Sequence, residues 1–243
     1  MKQAVILIAG GGTRLGSRNQ SRPKCLLKVK DKSLLEWMLN YLIRARIEET
    51  ILVVGYQADY IHQQIGSRWK NMTIKYVQNQ EWEQTNNVVS LALATDLLHQ
   101  DFILLEGDLI FQWEAFSKML VPNRIALDRF QPHMDGTVVS INDNGNVEQF
   151  YLKSTPSRPL DLSSLYKTVN IYSFNYQDYM SAVVPRLRFL VDSGQNQLYY
   201  EQAIADAVAD EELQLQIVLF SGSLWYEIDT EEDLLKAKAL FQG

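Results

Sequence analysis

A short apolar run, Ala4-Val-Ile-Leu-Ile8, empties directly into Ala9-Gly-Gly-Gly-Thr-Arg-Leu-Gly16. No other feature constrains the fold as strongly. The run has the unbroken hydrophobicity of a strand covered on both faces, and glycines at its end let backbone N–H groups close around an anion. Arg14 and, after Arg22-Pro23, Lys24 add fixed positive charge beside the loop. Ala9, Gly10, Gly11, Gly12 and Thr13 therefore read as a phosphate cradle, with a ligand-free glycine turn as the alternative. The two commoner nucleotide loops both fail here. A dinucleotide fingerprint needs a third glycine where Leu15 stands, and a P-loop needs Lys-Ser/Thr where Ser17-Arg18 stands.

The apolar run recurs at Thr50-Ile-Leu-Val-Val54 and Phe102-Ile-Leu-Leu105. Between the first two, Ser33-Leu-Leu-Glu36 has capping-box spacing, and Leu34, Trp37, Met38, Tyr41, Leu42 and Ala45 recur at helical spacing. Helices over 59–65 and 88–98 and a strand over 73–78 complete an open α/β sheet whose strand ends share one rim. Further on, 137–141 and 147–152 flank an Asn-Gly turn and predict a hairpin. Strands over 166–174 and 215–220, helices over 199–208 and 231–241, and an exposed loop over 153–164 follow.

Composition excludes several classes. Net charge is -6, too acidic for a surface that coats nucleic acid. Cys25 is the sole cysteine, which rules out an internal disulfide or a cysteine zinc site and suits a buried thiol in a reducing compartment. The run from Ala4 to Ala9 is too short to span a membrane or form a signal-peptide core. A soluble cytoplasmic protein without membrane or nucleic-acid partners is expected.

Ala9-Gly-Gly-Gly-Thr-Arg-Leu15 followed by Arg22-Pro-Lys-Cys-Leu-Leu27 resembles the signature loop of the nucleoside-triphosphate transferase superfamily. Thr85-Asn-Asn-Val-Val-Ser-Leu91, Leu105-Glu-Gly-Asp-Leu109 and Trp225-Tyr-Glu-Ile-Asp229 narrow the resemblance to bacterial CTP:phosphocholine cytidylyltransferases and their phosphoethanolamine and aminoethylphosphonate relatives. The likeness spans nearly the whole chain. It implies a mixed, mostly parallel open α/β sheet with flanking helices, of the nucleotide-diphosphosugar-transferase type with a Rossmann-like first half. A single domain over 1–243 is expected, its residues 1–130 facing nucleotide and its residues 131–243 facing the acceptor. The implied reaction moves CMP from CTP onto a small phosphorylated acceptor and releases pyrophosphate. A sugar-1-phosphate acceptor and a non-catalytic nucleotide-binding regulatory module stay open as alternatives. Gly16 in place of a proline, Leu109 in place of a third metal-triplet residue and the lack of a hexapeptide-repeat segment depart from the sugar enzymes.

The resemblance assigns Mg2+ to Asp108 and Asp229, the triphosphate and leaving pyrophosphate to Arg14 and Lys24, and the cytosine edge to Asn86, Asn87 and Ser90. Local readings compete with these. Asp108 could be a turn residue, Asp229 or Thr230 a helix N-cap, and the asparagines a turn and cap before Val88. Leu198-Tyr-Tyr-Glu201 resembles the aromatic-acidic segment that faces a trimethylammonium group, so Tyr199, Tyr200, Glu201, Trp225 and Glu227 are acceptor candidates, with burial in the core as the alternative for both tyrosines. Lys167 could neutralise the acceptor phosphate or point to solvent. His62, His99 and His133 form no motif, the first two being expected on helical surfaces. An anionic phosphate needs no general base to attack.

Overall fold

The computed structural model describes residues 1–12 and 22–241. β1 (Gln3–Ile8) is buried at every position, as its unbroken apolar run predicts. A ribbon of β2 (Lys28–Val29) and β3 (Lys32–Ser33) leads into α1 (Leu34–Arg44). The expected capping box closes there: the Ser33 hydroxyl accepts from the Glu36 amide, and the Glu36 carboxylate accepts from the Ser33 amide at 2.6 Å. β4 (Glu49–Val54), α2 (Ala58–Ile65), β5 (Arg68–Trp69), β6 (Met72–Gln78), α3 (Asn87–Ala94) and β7 (Phe102–Glu106) follow. The helix expected to reach residue 98 is α-helical only to Ala94 and ends in a 3-10 turn over Thr95–Leu97, where the Thr95 hydroxyl donates back to the Leu91 carbonyl. His99 therefore lies beyond the helix, its ring nitrogen 2.9 Å from the Gln3 amide nitrogen. His62 does lie on α2, its ring 4.0 Å from that of Tyr76 and tilted by 35°.

β8 (Leu109–Phe111), α4 (Trp113–Phe116) and β9 (Arg124–Arg129) come next. β10 (Val138–Ile141) and β11 (Val147–Tyr151) form the expected antiparallel hairpin, with Gly145 in the left-handed region at φ 74°. After β12 (Tyr166–Phe174), α5 (Tyr176–Asp178) runs through a π-helical turn over Tyr179–Val183 into α6 (Val184–Asp192). Pro185 opens α6, and a proline nitrogen has no hydrogen to return to the preceding turn. α7 (Glu201–Ala209), β13 (Gln216–Leu219), β14 (Trp225–Glu227) and α8 (Glu231–Leu240) finish the chain.

Among the described residues ten strands share one sheet, whose main path runs β11-β10-β12-β7-β1-β4-β6-β5, with β9 branching from β12 and β13 pairing with β9. β1 is parallel to β4 and β7, and β6 is parallel to β4. β12 is antiparallel to β7 and joins the later strands to this parallel core, so the sheet is mixed. β12 changes partner along its length. Residues 166–167 pair β10 and residues 171–174 pair β7, with Asn170 at φ 59° where the register against β9 slips.

A separate two-stranded ribbon sets up the site. β8 and β14 pair antiparallel, Leu109 opposite Glu227 and Phe111 opposite Trp225, and the Ile228 amide donates to the Asp108 carbonyl at 2.9 Å. The ribbon thereby brings the residue before β8 beside the residues after β14. Among the described residues no helix is long and apolar enough to cross a membrane.

Candidate active site

Two clefts of about 600 and 610 Å3 open along the rim where the parallel strands end. Glu106, Asp108, Tyr199 and Asp229 line both, so the clefts meet at this group. Ala9, Gly10, Gly11 and Gly12 form one wall of the first cleft. Gly12 has φ 61°, a conformation that costs a residue with a Cβ. Thr13 and Arg14, expected in the same cradle, lie outside the described residues.

Lys24 stands in a 3-10 turn over Lys24–Leu26, directly after Pro23. Its Nζ donates to Asp108 Oδ2 and to Asp229 Oδ1, each at 2.7 Å. Burial alone would lower the Lys24 pKa, but the two carboxylates outweigh it and hold the ammonium well above the ordinary lysine value. Asp108 follows Gly107 at the turn out of β7. A Cβ on Gly107 would lie 2.1 Å from Ile8 Cγ2, so only glycine lets the chain pass the end of β1 and deliver the aspartate. Asp229 is not the helix cap. Thr230 caps α8 in a box with Asp233, which leaves the Asp229 carboxylate to face Lys24.

Glu227 joins them from β14: ligand oxygens of Asp108, Glu227 and Asp229 all lie within 4.8 Å of one another. These three carboxylates could hold a divalent cation. Asp108 Oδ1 is buried without a hydrogen-bond partner among the described residues, which leaves a desolvated anionic oxygen suited to a hard cation. Burial pushes the Glu227 carboxyl up to about 7; Lys167 partly offsets this, while Asp108 and Asp229 add to it. Such crowding is the electrostatic counterpart of a site that takes positive charge.

One family profile, described as Nucleotidyl transferase, matches residues 3–242. The chain belongs to the nucleotidyl transferase family. It is 30% identical over 242 residues to CMP-5'-(3-aminopropyl)phosphonate synthase of Streptomyces rubellomurinus, covering 98% of this chain but only 38% of that protein. It is 25% identical over 247 residues to choline-phosphate cytidylyltransferase of Streptococcus pneumoniae, covering 99% of each. Its fold matches that of CTP:phosphocholine cytidylyltransferase from Streptococcus pneumoniae with a TM-score of 0.79 at 22% identity, over 100% of both chains. The mixed sheet with flanking helices is thus the nucleotidyltransferase fold that the sequence led us to expect.

The remaining candidates of this nucleotidyl transferase divide between the clefts. Asn86, Asn87 and Ser90 line the first. Each also serves the fold, since Asn86 caps α3, Asn87 Nδ2 donates to Glu106 Oε1 at 3.2 Å, and Ser90 Oγ accepts from Asn79 at 3.1 Å. Lys167 lines the second cleft and is 2% exposed, which corrects its solvent-facing alternative. Its Nζ donates to the Thr168 carbonyl and lies 3.6 Å from Glu227 Oε2. Tyr199, Glu201 and Trp225 line the same cleft, and the Trp225 indole N–H donates to Asp128 at 2.6 Å. Tyr200 does not. Its ring is fully buried in the core, packed edge to face on Tyr172, and its amide donates to Asn87 Oδ1 at 3.0 Å, which removes it from the acceptor candidates.

Sequence reasoning missed Trp82 and Glu106. Trp82 packs against Gly11 and Tyr56 in the first cleft. Glu106 is the charged last residue of the apolar strand β7, a placement that could have flagged it. Burial, together with the charges of Asp108, Glu201 and Glu227, pushes its carboxyl well above the usual range.

Proposed function

We propose that this chain transfers CMP from CTP onto a small phosphorylated or phosphonylated acceptor bearing a positively charged nitrogen, with release of pyrophosphate. The observation that carries this reading is the pair of similar clefts meeting at Asp108 and Asp229, the two carboxylates that Lys24 bridges from the first cleft. One cleft suits a nucleotide held between the glycine loop and the Asn86–Ser90 segment, which leaves the other for the acceptor. On this reading residues 1–130 supply most of the nucleotide cleft and residues 131–243 most of the acceptor cleft.

An acceptor oxygen forms a bond to the α-phosphorus as the bond from that phosphorus to the bridging oxygen breaks, and pyrophosphate leaves with the electron pair. The acceptor is already anionic, so the protein contributes alignment and charge neutralisation. Lys24 would hold the triphosphate and then the pyrophosphate, joined by Arg14 and Thr13 of the same loop. Lys167, buried in the second cleft, would neutralise the acceptor phosphate. Asp108 and Asp229, with Glu227 beside them, would hold Mg2+, which when bound supplies Lewis-acid neutralisation of phosphate charge. The second cleft carries more carboxylates than ammonium groups, and the names of the two relatives contain an aminopropyl and a choline group, both cationic.

A matrix of nucleoside triphosphates against phosphocholine, phosphoethanolamine, aminoalkylphosphonates and glucose-1-phosphate, read by pyrophosphate release, tests the proposal. CTP with a cationic acceptor is expected to be the best pair. Glucose-1-phosphate as best acceptor would overturn the acceptor reading, and nucleotide binding without turnover in any pair would indicate a regulatory module.

A further inference from the structure

The glycines after β1 stand in unlike surroundings. Gly12 takes a left-handed φ of 61°, whereas a Cβ on Gly10 would meet no described residue within 4 Å. Gly11 differs from both. Its φ lies outside the left-handed region, so only its neighbours resist a side chain, and they do: a Cβ there would sit 3.0 Å from Trp82 Cζ3, 3.5 Å from Trp82 Cη2 and 3.7 Å from Tyr56 Cγ. The far edge of the indole rests on the glycine loop.

Two strand ends deliver that ring. Gly55 and Tyr56 follow β4, and the Tyr56 amide donates to the Ala9 carbonyl at 2.9 Å. A Cβ on Gly55 would lie 2.7 Å from both the Ala9 carbonyl oxygen and Trp82 Cβ, so glycine is what lets the tryptophan stand against the loop. The Tyr56 ring meets the indole edge to face at 5.3 Å. Trp82 itself sits in a turn after β6 that the buried Asn79 holds together. The Asn79 amide donates to the Val54 carbonyl at 2.8 Å, its Oδ1 accepts from the Glu81 amide at 3.0 Å, and its Nδ2 donates to Thr85 Oγ1 at 3.0 Å and to Ser90 Oγ at 3.1 Å. Both hydrogens of Nδ2 are thus used. A turn fixed this firmly carries an aromatic ring that is only partly buried and lines the first cleft.

Resting on the reading of the glycine loop as a phosphate cradle, we propose that Trp82 is the positioning residue of that loop: its indole edge on Gly11 presets the backbone N–H groups that receive the polyphosphate. It acts through Gly11, not by touching the base or the acceptor. Tyr56 backs the ring and Asn79 fixes the turn that carries it. Donors held in place before the ligand arrives cost no ordering when it binds, and that gain falls to the phosphates alone.

CTP and CMP share the base and the ribose and differ in the two outer phosphates, so they are the probes, each titrated calorimetrically with Mg2+ and no acceptor. Trp82→Ala should weaken CTP binding by about tenfold or more and CMP binding by less than about twofold, because only the outer phosphates depend on the preset loop. Trp82→Phe keeps a ring beside Tyr56 and shortens the edge that reaches Gly11; it should show the same selective loss in smaller size, and it keeps the test alive if the alanine variant does not fold. Gly11→Ala should weaken CTP binding by about tenfold in the wild-type background and by less than about twofold once the indole is gone, since its Cβ then has nothing to displace. An equal loss for CTP and CMP would make Trp82 a base contact or a general support of the fold, and an equal cost of Gly11→Ala in both backgrounds would uncouple ring from loop; either overturns the assignment. Absence of turnover with every acceptor would defeat the transfer reaction alone, because the CTP-to-CMP ratio and the coupling of Trp82 to Gly11 are read from binding.

Discussion

Lys24 Nζ and Asp108 Oδ2 meet at 2.7 Å across 84 residues of chain, and the same ammonium reaches Asp229 at the same distance. The lysine is the counter-ion of the carboxylates proposed to hold Mg2+. Lysine and metal therefore compete for one pair of charges.

Lys24→Ala should tighten divalent-cation binding to the nucleotide-free protein by roughly tenfold, which needs only about 1.4 kcal/mol of relieved competition. CTP affinity should fall in the same variant. Titration with Mn2+ and with CTP measures both, and unchanged cation affinity would show that the ammonium does not compete.

Asp108→Asn removes a charge while keeping the side-chain shape. Turnover should drop by about a hundredfold or more, as for loss of one preorganised electrostatic group, with the circular dichroism spectrum unchanged. Near-normal turnover would remove Asp108 from the metal site.

Gly107→Ala forces a Cβ against Ile8 Cγ2 at 2.1 Å and the Leu7 carbonyl oxygen at 3.1 Å. Overpacking of this kind costs about 1–3 kcal/mol, and each kcal/mol lowers Tm by about 2–4 °C in a chain of this size. Activity should fall further than stability, because Asp108 moves with the turn. Adding Ile8→Ala should make the double variant less unstable than the two single losses summed; simple additivity would place the clash elsewhere.

Cys25 is buried in the core, and burial pushes its thiol up to about 12. At pH 8 the native thiol should react with a maleimide at least about a thousandfold more slowly than in guanidinium, because the thiolate is the nucleophile. Rapid labelling of the native chain would show that this segment opens.

Burial raises the Glu201 carboxyl above its ordinary value, although Lys167 works against the shift. The folded state therefore binds that proton more tightly than the unfolded chain does. The group's contribution to stability is fullest below the unfolded value of about 4.3 and is lost as pH rises through the folded pKa. Glu201→Gln should raise Tm relative to wild type at pH 8, with the gap closing toward pH 4, while weakening the binding of cationic acceptors. A gap that widens on acidification would reverse the sign.

The apolar runs that became β1, β4 and β7 were legible because strands buried on both faces have no polar alternation to confuse them. The Ser33–Glu36 capping box was legible for the opposite reason, being a wholly local device. β14 was not. Its Trp-Tyr-Glu is half-buried at all three positions, with no contrast between faces. Tyr199 and Tyr200 look equivalent in the chain, yet one is 49% exposed at the junction of the clefts and the other is wholly in the core.

The sequence alone determined the strand that empties into glycines and the lysine after Pro23, since each rests on short-range chemistry, whereas Asp108 and Asp229 stood out only through the family resemblance of their segments. Only the tertiary structure decided that Glu106 borders both clefts and that Glu227 completes the acidic cluster. The pairing of β8 with β14 sets those distances, and a contact between remote segments leaves no periodicity in either one to be read in advance.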